Sequence, residues 1–83
     1  MANNLPSGWM WSDHDPAKSI EEKVQQAAQH YHAKFGHWPN TCYVNRRAID
    51  SDGQQVGGIK VVRMPNILPH HFLLSKEEID EKE

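Results

Sequence analysis

Eighty-three residues, a formal net charge of −2 and a single cysteine describe one small domain without a disulfide framework. No run approaches the ~18 apolar residues of a membrane span. MANNLPSGWMW lacks the basic and apolar regions of a signal peptide, so the expectation is a soluble cytoplasmic protein with no membrane role.

Residues 1–15 carry no helical or strand period and read as an extended N-terminal arm. Trp9 and Trp11 share one side of an extended segment. They suit either a lid over the edge of the core or a partner-binding surface, since Trp is favoured at interface hot spots. Asp13-His14-Asp15 sets an imidazole between carboxylates. Its plain reading is solvation and helix capping.

The domain proper is expected over 16–75, organised around an amphipathic helix at 16–35. Ile20, Val24, Ala27, Ala28, Tyr31 and Phe35 fall within an arc of about 100°, the stripe of a core-facing helix. Glu21, Glu22, Lys23, Gln25, Gln26 and Gln29 lie outside it. Asp15-Pro16 offers one start, and Ser19 with Glu22 has the spacing of a capping box. Gly36 suits a left-handed stop, and Pro39 prevents the helix from resuming.

Thr41 to Asn45 then reads as a first strand packed beside the helix. Asp52-Gly53 signals a turn, and Gly57-Gly58 a second flexible point. Gly58 to Met64 reads as a second strand and His71 to Leu74 as a third, with Ile67-Leu68-Pro69 as a connector of buried potential. A connection of about six residues between the last two suits an antiparallel hairpin. Residues 76–83 form a charged tail, in which Ser75-Lys76-Glu77-Glu78 has the form of a cap but only Ile79 is available as an anchor. The fold class expected is therefore α+β: one main helix on a small, mostly antiparallel sheet of about three strands. Such a sheet has two free edges and one uncovered face.

Several groupings bear on chemistry. His30 and His32 stand about 200° apart around the helix, and His70 and His71 alternate on a strand, so neither pair chelates one ion. A metal site needs assembly from His32 or His37, Cys42, and His70 or His71. Cys42 lies in an apolar strand, where a thiol behaves as a small hydrophobe rather than a nucleophile. Gly53, Gly57 and Gly58 lack the Lys-Ser/Thr ending of a phosphate-binding loop. No cofactor is expected, and no catalytic constellation is evident.

Residues 36–65 carry a net +2 and residues 66–83 a net −3. Within the first segment, Arg46 and Arg47 with Trp38, Tyr43, Lys60 and Arg63 suggest a small basic-aromatic patch. That combination suits single-stranded nucleic acid. The pattern as a whole has the look of a short bacterial or phage open reading frame. The reading it supports first is a non-enzymatic interaction module of adaptor or inhibitor type, binding a protein partner or a second copy of itself. Docking is expected through a sheet edge or through Trp9, Trp11, Trp38, Arg46 and Arg47. The alternatives are a single-stranded nucleic-acid accessory factor and a metal site built from the histidines and Cys42.

Overall fold

A computed structural model describes residues 8–50 and 53–77. Outside them lie the first seven residues of the expected arm, Asp52 of the turn signal, and the charged tail from Glu78 onward. The described chain runs β1 (Trp9–Ser12), α1 (Ile20–Phe35), β2 (Thr41–Val44), β3 (Gln54–Val56), β4 (Ile59–Arg63) and β5 (His71–Ser75). The five strands form one sheet in the order β1-β5-β2-β4-β3. The class is the α+β expected, with one helix on a small sheet. The strand count and pairing differ: five strands instead of about three, with β2 and β4 parallel and the other neighbours antiparallel.

The helix begins at the later of its two signals. Ser19 is the N-cap in an extended conformation, its side chain accepts from the Glu22 amide at 3.1 Å, and Glu22 Oε1 accepts from the Ser19 amide at 3.0 Å. These two bonds satisfy amides that have no partner within the helix. Asp15 instead holds a turn, its carboxylate accepting from the Ala17 amide at 2.9 Å. Gly36 ends the helix at φ 81°, and its amide donates to the His32 carbonyl at 2.8 Å. Val24, Ala27, Ala28 and Tyr31 are buried as their spacing requires. Phe35 is more exposed than expected, and Lys23, expected on the polar side, is buried.

Two strands depart from expectation for identifiable reasons. Residues 53–58 hold not only turns but a strand, β3, joined to β4 by the two-residue loop Gly57-Gly58. Both glycines have positive φ, 55° and 84°, the geometry of a type I′ hairpin turn, which side chains resist. The other departure is β5, which does not form a hairpin with β4. It lies between β1 and β2, so both its edges are paired, and Phe72, Leu73 and Leu74 are all buried. The connection that carries it there crosses the end of β2. Met64 donates its amide to the Val44 carbonyl at 2.9 Å, Asn45 Nδ2 donates to the Ile67 carbonyl at 2.8 Å, and Ile67 is buried as the pin of the loop.

Register assigns the faces. Trp9, Trp11, Phe72, Leu74, Cys42, Val44 and Val61 share the face that packs on α1. Met10, Tyr43, Lys60, Val62 and Gln55 take the opposite face, which no helix covers among the described residues. Glu77 reaches over that face. Its carboxylate accepts from Ser75 Oγ and from the Tyr43 hydroxyl, and its backbone exchanges two hydrogen bonds of 2.8 Å with the Asn40 side chain. No helix of the described residues is long and apolar enough to cross a membrane.

Candidate functional site: a free sheet edge and a cationic cavity

The expected site residues separate into three places. Trp9 and Trp11 belong to β1 and point inward. Their rings lie 5.5 Å apart, Trp9 meets Tyr31 and Phe35 edge-on at 6.4 Å each, and Trp11 stacks on His30 at 4.2 Å. Both are half-buried against the core. Trp11 Nε1 is buried without a hydrogen-bond partner, a desolvation cost of about 1–3 kcal/mol. Trp38 lies past the helix end, 53% exposed, with its ring stacked on His32 at 4.2 Å. Arg46 and Arg47 are exposed in the turn after β2.

Trp38 precedes β2 and the two arginines follow it, so a strand of roughly 13 Å separates them. Lys60 is level with Thr41 at the start of β2, and Arg63 with Val44 at its end. Tyr43 and Lys60 are set on the uncovered face by register, and Arg63 on the helix side. The basic and aromatic residues therefore do not converge on one patch.

The metal donors do not converge either. Cys42 is fully buried in the core, and burial pushes its thiol up to about 12, so the group is a protonated thiol at neutral pH. Among the described residues, no group of three or more His, Cys, Asp and Glu is placed to hold a metal ion. Tyr43 is also held above its ordinary value, by desolvation first and then by the Glu77 carboxylate.

What β1 offers outward is backbone. Asp13 donates its amide to the His70 carbonyl at 3.0 Å, in register with Trp11 opposite Phe72 and Trp9 opposite Leu74. In an antiparallel ladder the hydrogen-bonded residues alternate. Trp9 and Trp11 therefore bond to β5, while the amides and carbonyls of Met10 and Ser12 point away from the sheet. Both residues are exposed, and Met10 lies on the uncovered face at 41% exposure. This edge carries no charge, no proline and no bulge, the devices that ordinarily blunt a free edge. At the other border, β3 is three residues long.

The second feature is a cavity of about 310 Å³ where α1 begins and β2 ends. Ile20 and Phe72 give it an apolar floor. Lys23, Arg47, His70 and His71 also line it, and among the described residues no carboxylate does. Sequence reasoning missed this grouping. The helical spacing puts Lys23 on the polar side of the helix, and the adjacent histidines read as metal donors, as a base for Cys42 or as surface groups. The available signal was that Lys23 flanks the apolar stripe by about 40° at 100° per residue.

No protein-family model, curated protein or solved structure matches this chain.

Proposed function

We propose that this protein is a small, non-enzymatic interaction module of adaptor or inhibitor type. It docks an extended segment of a protein partner along the free edge of β1. The observation that supports this reading is the outward set of Met10 and Ser12 backbone groups on an uncharged edge whose two tryptophans are anchored inside. Strand addition draws its affinity from main-chain hydrogen bonds and its specificity from alternate side chains. Here Met10 supplies the apolar contact on the uncovered face, and the seating of Trp9 and Trp11 on α1 keeps the edge straight and ready to pair. Trp38 is separately placed as a contact for whatever reaches the helix end.

Self-pairing is the second reading. The strand Trp-Met-Trp-Ser carries no charge, so two copies can meet antiparallel without setting like charges opposite one another. The test uses Ser12→Pro and Met10→Lys. Proline at 12 removes an outward amide without removing a β1–β5 bond, and lysine at 10 places a charge on the edge. Affinity capture with the wild type and both variants should lose the same partner with each substitution, while circular dichroism stays native. Sedimentation tests self-pairing: a dimer of the wild type should become a monomer in both variants. A partner or dimer retained by both would remove the β1 edge from the proposal.

A further inference from the structure

We infer that the cavity between the starts of α1 and β5 and the end of β2 is a binding site for a compact phosphate monoester, independent of the docking edge. Lys23 carries the argument. It is only 8% exposed, it lines the cavity, and its side chain has no hydrogen bond or ion pair among the described residues. The aliphatic stem is buried, while the Nζ atom is not among the fully buried ones, so the ammonium is open to an anion bound in the cavity and can meet it in charge-assisted hydrogen bonds. The nearest acid, Asp13, is already committed: its carboxylate pairs with Lys18 Nζ at 2.6 Å and accepts from the Asp15 amide at 3.0 Å. It acts on Lys23 only as a more distant charge.

Three further observations agree. Arg47 is the second fixed cation of the lining, so among the described residues the cavity wall carries +2 and no carboxylate. That charge complements the dianion of a phosphate monoester, and a guanidinium can meet phosphate oxygens in pairs. His70 is held at φ 66°, the one described residue other than glycine with positive φ. Such strain in a bulky residue persists where its surroundings enforce it, and it clusters at ligand sites. Here it sets His70 against His14, with ring centres 4.7 Å apart, and His71 beside it with Nδ1 donating to the Pro69 carbonyl at 2.9 Å. Finally, the cavity lies beyond the carboxyl ends of β1 and β2, where the helix also begins. Its volume is at the small end of ligand pockets, and Ile20 with Phe72 leaves an apolar floor for the organic part of the ester.

The probe is phenyl phosphate, titrated into isotope-labelled full-length protein at low salt and followed by amide shifts. Saturable shifts centred on Lys23, Arg47 and His71 are expected. The dissociation constant should rise at least tenfold in Lys23→Met, which keeps the buried volume, and in Arg47→Gln, whose exposed site leaves the fold unaffected. If Lys23→Met fails to fold, Arg47→Gln decides alone. Shifts that never saturate, that centre elsewhere, or that keep the wild-type constant in Arg47→Gln would overturn the site. Benzoate binding as tightly as phenyl phosphate would overturn the phosphate assignment. Inorganic phosphate binding equally well would overturn the ester in favour of the free ion.

Discussion

Truncating the β1 tryptophans separates a core strand from a loose arm. Replacing a fully buried Phe or Trp with Ala costs about 3–5 kcal/mol. Trp9 is half-buried against Trp11, Tyr31 and Phe35, so Trp9→Ala should cost roughly half that, about 2 kcal/mol. Trp11→Ala should cost less, about 1 kcal/mol, because it also removes the buried indole donor that has no partner. A domain of this size is stable by only about 4–12 kcal/mol in total. At roughly 4–8 °C per kcal/mol, Trp9→Ala should lower the melting temperature by about 8–16 °C. Trp38→Ala, at an exposed ring stacked on His32, is the control and should stay within about 0.5 kcal/mol. Thermal and urea unfolding followed by far-ultraviolet circular dichroism reads all three. Equal, small shifts for Trp9→Ala and Trp38→Ala would refute the placement of β1 in the core.

The remaining predictions use the same unfolding assays. Trp11→Phe should cost less than Trp9→Phe, since it alone deletes the unpartnered Nε1–H. Ser19→Ala removes one arm of the capping box and should cost about 1 kcal/mol, whereas Pro16→Ala, in the turn before the helix, should cost less. Gly58→Ala forces an L side chain to φ 84° and should cost about 1–2 kcal/mol. Cys42 gives an alkaline prediction with a definite sign. Its folded-state value, about 12, lies above the 9.0 of a free thiol, so its share of stability is complete below pH 9 and is lost as pH rises from 9 toward 12. The loss approaches about 1.4 kcal/mol per pH unit in that window. Cys42→Ala should be weaker at pH 7 yet flatter between pH 9 and 10, as measured by urea midpoints, and an unchanged slope would contradict the assignment.

The helix was legible because its signals are local. Ser19, Glu22 and Gly36 fix its ends within one turn, and the apolar period names its buried face. The sheet was legible only where a strand announces itself by composition, as β2, β4 and β5 do. β3 escaped because Gln54-Gln55 has low strand propensity. It forms because Gly57-Gly58 turns the chain back and Val56 closes over the core beside Ile59. The position of β5 is a long-range fact, yet the unbroken Phe72-Leu73-Leu74 run suits a central strand with both edges paired better than the edge of a hairpin. β1 hid for the opposite reason: four residues among Gly, Ser and Asp show little period, and only pairing with β5 makes them a strand. Lys23 shows the limit of a stripe drawn from apolar residues alone. A lysine at its margin lines a cavity with the loop after β2, and that loop cannot be placed until the sheet is known.

Residue-resolved amide exchange in dilute, monomeric protein tests the central claim most directly. The account predicts an alternation along one short strand: Trp9, Trp11 and Asp13 amides slow, Met10 and Ser12 amides fast. It predicts further that Met10 and Ser12 slow when a partner strand is added or the protein is concentrated. Uniformly fast exchange from Trp9 to Asp13 would contradict β1 as a strand, and slow exchange at Met10 and Ser12 in the monomer would contradict its free edge.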